Sequence, residues 1–260
     1  MNKVELIEVE HSVKIGDKCG DIKPNITEDT LFMADGEIVG FYLKDISKHS
    51  ERLSKFVGIA NSELRSKRVP KSKMTRSSGM RDSEKSVIQY STIIGACPPK
   101  PFVRRPYATM SSVHNVKSAQ PFVKAMLLSC KESEELIKKI APNIYENQVN
   151  IINENVAKKW RFGRMFTSSI SNYNIAAPFH KDNGNLKGCV NVIIAKKQNA
   201  RGGNTTVPDY NATVDSCDNS MLVYPAWRNV HGVTPIIPTK EDGYRNSLVF
   251  YPLKAFKGLE

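Results

Sequence analysis

The sequence lacks any apolar run long enough to cross a membrane. Stretches such as VNVII are far shorter than the roughly 20 residues that a spanning helix needs. The N-terminal MNKVELIEVEHSVK carries charges where a secretory signal would have an apolar core. We therefore expect an intracellular protein with no membrane partner. It would be cytoplasmic, in the host-cell cytoplasm if the source is viral, or nuclear if the source is eukaryotic.

Paired cysteines are also missing. The five cysteines are odd in number, dispersed along the chain and never in C-x-x-C spacing. A disulfide framework and a structural zinc site both need such pairs. The pattern argues against both and is typical of a reducing compartment.

Acidic residues are scarce relative to basic ones, and the formal net charge is +12. The excess is concentrated in residues 51–110, above all in RSKRVPKSKMTRSSGMR (65–81), which has seven basic residues and no acid. Such runs neutralise phosphates, although a solvated surface loop has the same composition. The following PPKPFVRRPYATMSS mixes cations with stackable rings, which favours nucleic acid as the partner. The candidate phosphate contacts are Arg65, Lys67, Arg68, Lys71, Lys73, Arg76, Arg104 and Arg105.

The pattern of apolar residues predicts an α+β protein. Asp35-Gly36 between two apolar runs predicts a hairpin, and residues 46–65, 118–141 and 142–160 have helical spacing. After Trp160, at least six short segments rich in β-branched and aromatic residues are separated by Gly, Asn, Asp and Pro. These segments favour a sandwich or jelly roll. We expect the helical and β-containing N-terminal half to wrap on this all-β core as one compact, monomeric unit.

A possible metal site lies in AAPFHKDNGNLKGCV, where His180 and Asp182 are two residues apart. On a strand, such side chains point the same way. One H-x-D pair is weak evidence, because a hydrogen bond beside a turn has the same pattern. His231, at the end of a predicted strand, completes two histidines and one carboxylate. This ligand set is the facial triad of non-haem Fe(II) oxygenases.

A possible carboxylate anchor follows in YRNSLVF, where Arg245 and Ser247 share a strand face. An arginine fork inside a barrel suits a bidentate carboxylate contact, such as that of 2-oxoglutarate. Asn174 and Tyr173 lie one strand-length before His180, where either could contact 2-oxoglutarate or only pack.

In this order, the H-x-D, H and R-x-S elements resemble the double-stranded β-helix (jelly-roll, cupin-like) Fe(II)/2-oxoglutarate dioxygenases. FTSSISNYNIAAPFHKDNGNLKG and the paired arginines of PPKPFVRRPYATMSS resemble, more narrowly, the TET/JBP branch, which oxidises the 5-methyl group of pyrimidines in DNA. The chain is more similar to compact phage or microbial members, because it lacks the cysteine-rich module of animal TET proteins. The resemblance covers residues 90–255. It divides the chain into an N-terminal β-hairpin, helix and basic extension (1–85) and a dioxygenase region (86–260) with its jelly-roll core from about residue 160.

The resemblance implies roles for particular residues. His180, Asp182 and His231 would bind Fe(II), Arg245 and Ser247 would hold 2-oxoglutarate with Asn174 as a further candidate, and O2 would be the co-substrate. Asn185 extends the motif to H-x-D-x-x-N and is a candidate for contacting the substrate base, although it could equally be a turn residue.

The implied reaction is hydroxylation of 5-methylcytosine in DNA, favoured over thymine, with release of succinate and CO2. Two alternatives stay open at this point. One is a 2-oxoglutarate-dependent hydroxylase of a protein side chain or small molecule. The other is a non-catalytic jelly-roll protein that binds nucleic acid through its basic surface.

Overall fold

The fold combines two β-sheets with a layer of helices. A computed structural model describes residues 1–74 and 89–260. The strands in these residues are β1 (Asn2–Glu5), β2 (Thr30–Ala34), β3 (Glu37–Leu43), β4 (Tyr90–Cys97), β5 (Thr109–Met110), β6 (Ser168–Tyr173), β7 (Ala177–His180), β8 (Asn191–Gln198), β9 (Ala200–Gly202), β10 (Thr205–Val207), β11 (Ala212–Val214), β12 (Met221–Tyr224), β13 (His231–Val233), β14 (Ile236–Pro238) and β15 (Tyr244–Tyr251). The longer helices are α1 (Glu51–Arg65), α2 (Gln120–Ile140) and α3 (Pro142–Asn155).

The larger sheet has the strand order β1-β2-β3-β12-β8-β15-β6-β4-β5. β2 and β3 form the predicted hairpin, and Asp35 (φ 50°) and Gly36 (φ 79°) supply the left-handed turn conformation. β3 pairs with β12, so the N-terminal hairpin extends the same sheet as the C-terminal strands. The division of the chain at residue 85 stays a prediction.

The helices cover one face of this sheet. Leu53, Val57, Ala60 and Leu64 of α1 are buried at three- and four-residue spacing, and the side chain of Ser50 caps the helix by accepting from Leu53 N (3.1 Å). α1 and α2 pack on a core that includes Leu248 and Phe250 of β15. The helix predicted over 142–160 ends earlier, at Asn155, because Val156 pairs as a β-bridge with Lys257.

The smaller sheet lies against the other face, in the order β11-β10-β13-β7, with β9 and β14 as a separate pair. Residues of both sheets, including Asn172 and Val249 of the larger and His180 and Val233 of the smaller, line one cavity of about 330 Å³. A cavity between two facing sheets, antiparallel except for the β1–β2 pair, is the expected product of the predicted jelly roll. Among the described residues, no helix is long and apolar enough to span a bilayer.

Candidate metal and cofactor site

The three predicted metal ligands meet at one wall of this cavity. His180 ends β7, His231 begins β13, and the two residues are direct cross-strand partners. Asp182 Oδ1 lies 3.6 Å from His180 Nε2 and 4.0 Å from His231 Nε2. All three ligand atoms lie within 4.8 Å of one another. The arrangement supplies two imidazoles and one carboxylate around a common point, as a facial triad requires.

The backbone sets the tautomer of both histidines. His180 Nδ1 lies 2.7 Å from the Pro178 carbonyl oxygen, and His231 Nδ1 lies 3.1 Å from that of Asn229. Because a carbonyl oxygen only accepts, each Nδ1 donates, and each neutral ring presents the Nε2 lone pair to the common point. Burial, together with the adjacent His180, lowers the pKa of His231 below its usual value, which favours the neutral form that binds metal. The donor set therefore fits a divalent iron ion.

Two asparagines orient the Asp182 carboxylate. Asn191 Nδ2 donates to Asp182 Oδ2 (2.8 Å), and Asn185 Nδ2 donates to Asn191 Oδ1 (2.8 Å) and, at 3.4 Å, to Asp182 Oδ2. These contacts hold Oδ2 and leave Oδ1 for a metal. Asn185 is buried behind Asp182 and uses its amide nitrogen in this network. Its predicted contact with a substrate base stays a prediction.

Asn191→Ala should weaken metal affinity by about 10- to 100-fold, the usual range for removing a group that orients a metal ligand. Asp182 loses its shortest hydrogen bond and is free to rotate away from the histidines. The affinity can be measured without turnover by titrating the apoprotein with Mn(II) and recording the loss of the electron paramagnetic resonance signal of the free ion.

Asn246→Ala is the matched control. Asn246 is equally buried, but it lies on the helix-covered face of the sheet and bonds Asn61 and Ser171. Its loss should cost about 1–3 kcal/mol of stability and leave Mn(II) affinity unchanged. Equal weakening of Mn(II) binding in both variants would contradict a specific role for Asn191.

Arg245 occupies the same cavity, away from the triad. It is only 3% exposed, and its Nε donates to Ser216 Oγ (3.0 Å). In the part of the chain that the structure describes, no carboxylate forms an ion pair with it, and burial lowers its pKa to about 10. Ser247 lines the cavity beside it on β15. A buried cation without a counter-charge is costly, so this end of the cavity fits the far carboxylate of a ligand such as 2-oxoglutarate.

Asn174 and Gly203 position Arg245. Asn174 adopts φ 55°, its Oδ1 accepts from Arg245 N (2.9 Å), and its own N–H donates to the Arg245 carbonyl (2.8 Å). At Gly203, a Cβ would lie 3.1 Å from both Cδ and Nε of Arg245. These contacts give Asn174 a positioning role through the Arg245 backbone. Direct contact of Asn174 with the cofactor stays a prediction.

Tyr173, the other residue considered before His180, points to the opposite face of β6. Its ring stacks between those of Tyr90 (4.6 Å between centroids) and Tyr244 (5.4 Å). Tyr173 therefore packs under the helices and lies outside the cavity.

Comparison with known proteins identifies the family. Residues 99–254 match the Tet/JBP family, the oxygenase domain of the 2OGFeDO superfamily, over more than half of the chain. The chain belongs to this family. As a Tet/JBP oxygenase it is an Fe(II)- and 2-oxoglutarate-dependent dioxygenase, and the predicted enzyme class and cofactors are confirmed. No curated protein sequence matches the chain significantly.

One solved structure shows the same fold, and others align less closely. NgTET1 in complex with 5mC DNA aligns with a TM-score of 0.58 at 13% identity, covering 96% of this chain and 85% of that chain. A full-length Neurospora crassa protein in complex with alpha-KG aligns with a TM-score of 0.44 at 14% identity, covering 82% and 74%. OsALKBH1 aligns with a TM-score of 0.41 at 16% identity, covering 81% and 96%. The predicted α+β jelly-roll class is confirmed.

Arg65, the last residue of α1, lies at the Arg245 end of the fold. The Arg65 guanidinium carbon lies 4.2 Å over the Tyr244 ring, at the start of β15, and Arg68 pairs with Glu63 (3.1 Å). Tyr251, at the other end of β15, lines the cavity with Asp182. Tyr244 and Tyr251 are seven residue steps apart along β15, a distance of roughly 23 Å. Lys67, Lys71 and Lys73 follow Arg65 on the chain, and Arg76 lies outside the described residues. Phosphate binding by this group stays a prediction.

The paired arginines lie in the β4–β5 loop, residues 98–108, and differ in their surroundings. Arg104 is exposed, whereas Arg105 donates to Thr109 Oγ1 (3.2 Å) and to the Pro98 carbonyl, which ties the loop together. Phe102 is 100% exposed and Tyr107 is 62% exposed. Of the two arginines, Arg104 is the one free to meet a phosphate.

Sequence reasoning missed Asn191 and Ser216. Asn191 is a polar residue that begins an apolar strand and shares its cavity-facing side with Ile193, so alternation along CVNVII could have indicated it. Ser216 lies outside the strands, and no local pattern connects it with Arg245, 29 residues away.

Proposed function

We propose that the protein hydroxylates the 5-methyl group of 5-methylcytosine in DNA, forming the 5-hydroxymethyl base with succinate and CO2. The observation that carries the proposal is the cavity itself, with a facial triad at one wall and, beyond it, a buried arginine that has no carboxylate partner among the described residues. Membership of the Tet/JBP family and the likeness to NgTET1, which was solved with 5mC DNA, favour a methylated base as the substrate.

The surface at the metal end of the cavity also favours DNA. β4 reaches this end, since Gly95 pairs with Ser168, which in turn pairs with Tyr251. The β4–β5 loop therefore leaves the sheet near the triad, and Ala108 packs in the same cluster as Leu253, which lines the cavity. Exposed Phe102, Arg104 and Tyr107 supply rings for stacking and a charge for phosphate contact.

Each group has a distinct role in this proposal. Bound Fe(II) and 2-oxoglutarate supply the oxidative decarboxylation that delivers one oxygen atom of O2 to the methyl carbon. Arg245 and Ser247 hold the far carboxylate of 2-oxoglutarate, while Asn191 and Asn185 keep Asp182 oriented. A methylated base in a duplex must leave the stack to enter the cavity, which costs a few kcal/mol. Contacts of the cationic surface with phosphates would offset that cost.

The test is incubation with Fe(II), 2-oxoglutarate, O2 and a duplex containing one 5-methylcytosine, followed by mass spectrometry of the nucleosides. We expect a gain of about 16 daltons on 5-methylcytosine, one molecule of succinate per oxidised base, and activity that falls steeply as salt rises. A duplex with cytosine in that position is the control, and thymine in the same duplex serves as an internal competitor.

Product on thymine alone would show that thymine, and not 5-methylcytosine, is the substrate base. No gain on any base would contradict the DNA substrate. Succinate production that is insensitive to salt and depends on a peptide or small molecule would favour the alternative hydroxylase.

A further inference from the structure

A second cavity lies directly beside the catalytic one. It has a volume of about 570 Å³, and Asn185 lines both cavities. The wall between them is the pairing of Asn185 with Leu253, extended by the hydrogen bond from Lys254 N to the Gly184 carbonyl (2.9 Å). The second cavity is therefore one wall away from the reacting unit of any polymer bound in the catalytic cavity.

All the charged residues that line the second cavity are lysines. Lys187, Lys254 and Lys257 line it and are exposed, and no carboxylate is among its lining residues. None of these lysines forms an ion pair within residues 1–74 and 89–260. Unpaired cations that converge on a concave surface suit a ligand with several negative charges.

Trp227 adds an aromatic ring to the lining of this cavity. Its Nε1 is buried and has no acceptor among the described residues, although the ring lines the cavity. Because Nε1 is inaccessible to solvent, a ligand in the cavity would contact the ring rather than this N–H. Three separate cations match successive phosphates of a nucleic-acid backbone, and the aromatic ring can pack on a sugar or base.

We infer that this cavity, lined by Lys187, Lys254, Lys257 and Trp227, binds the phosphodiester backbone next to the target nucleotide. The inference rests on the proposed function, because it takes DNA as the substrate. It assigns the phosphate contacts nearest the iron site to the C-terminal part of the chain, in addition to those predicted for the basic segment after α1.

The first test is the salt dependence of DNA binding, measured without O2 on the protein loaded with Fe(II) and 2-oxoglutarate. Changing all three lysines to glutamine should reduce the slope of log Kd against log salt by about 3, one unit for each lost phosphate contact. Lys124, Lys131 and Lys139 are exposed on α2, and their triple glutamine variant carries the same change in net charge. An identical slope in both triple variants would overturn the inference.

The second test uses Trp227 as a reporter. Trp160→Phe leaves Trp227 as the only tryptophan of the chain. DNA should then change the Trp227 emission with a saturation curve that requires the three lysines. Inorganic phosphate should change it only at much higher concentration. Saturation by phosphate with no competition from DNA would make the cavity a site for a free anion and overturn the inference.

Different results would contradict the proposed function and the proposed DNA surface. Oxidation of 5-methylcytosine with an unchanged salt slope in the lysine variant would contradict the second cavity as a DNA surface and leave the proposed function standing. Lysine-dependent DNA binding without oxidation of any base would support the surface and contradict the function.

Discussion

His180→Ala should abolish 2-oxoglutarate turnover, lowering succinate production by at least about 100-fold. Changes to groups that only orient a metal ligand already cost 10- to 100-fold, and His180 is itself one of three ligands. Asp182→Ala should have the same effect, because both remaining imidazoles would then bind the ion without a carboxylate. Succinate release measures turnover, and loss of the free Mn(II) resonance signal measures binding of the ion independently of activity.

His49→Ala provides the control for this prediction. His49 also pairs with an aspartate, Asp29 (2.7 Å), but it lies outside the triad. It should retain both Mn(II) binding and succinate production. The side chain of His180 is 38% exposed, so its truncation should leave thermal unfolding nearly unchanged. A His180→Ala protein with wild-type succinate production would show that iron binds elsewhere.

The pairs His180/Asp182 and Arg245/Ser247 were predictable from the sequence because their geometry is local, whereas the position of His231 beside His180 depends on the pairing of β13 with β7. His180 and Asp182 need only the two-residue period of an extended chain, and Arg245 and Ser247 need only the same period on β15. The Asp35-Gly36 turn and the helices were predictable for the same reason, since turn chemistry and apolar spacing act over a few residues.

The supports of the site were not predictable, because they depend on which strands become neighbours. The sequence indicates either a turn residue or a base contact at Asn185. Its hydrogen bond with Asn191 forms only because β8 places Asn191 beside Asp182. Arg104 and Arg105 are indistinguishable in sequence, but the pairing of Lys100 with Arg105 folds one arginine back on the loop and leaves the other exposed. Lys187 lies far along the chain from Lys254 and Lys257, so no charge run marks the lysines of the second cavity.

Arg245→Met should raise the KM for 2-oxoglutarate by about 30-fold to several thousand-fold. Truncating one partner of a buried, hydrogen-bonded charge pair costs about 2–5 kcal/mol, and each 1.4 kcal/mol is a factor of ten. Arg245→Lys keeps the charge but loses the fork that contacts a carboxylate through two parallel hydrogen bonds, so its KM should lie between those of the wild type and the methionine variant. Arg201→Met is the control, because Arg201 is exposed and pairs with Asp21 (2.7 Å).

Arg245→Met should weaken binding of 2-oxoglutarate, but it should leave the stability of the cofactor-free protein unchanged or raise it. At pH 7 the guanidinium is charged in both the folded and the unfolded chain, so the lowered pKa of Arg245 (about 10) represents a cost of folding that methionine removes. Replacing a buried charge by an apolar side chain of similar volume is often neutral or stabilising by about 1–4 kcal/mol. Wild-type protein should gain about 2.7 kcal/mol from 2-oxoglutarate at one hundred times its Kd, and Arg245→Met should lose most of that gain at the same concentration. A variant that is less stable without cofactor yet unchanged in KM would make Arg245 a structural residue. A variant that is equally or more stable and no longer responds to 2-oxoglutarate would identify it as the cofactor anchor.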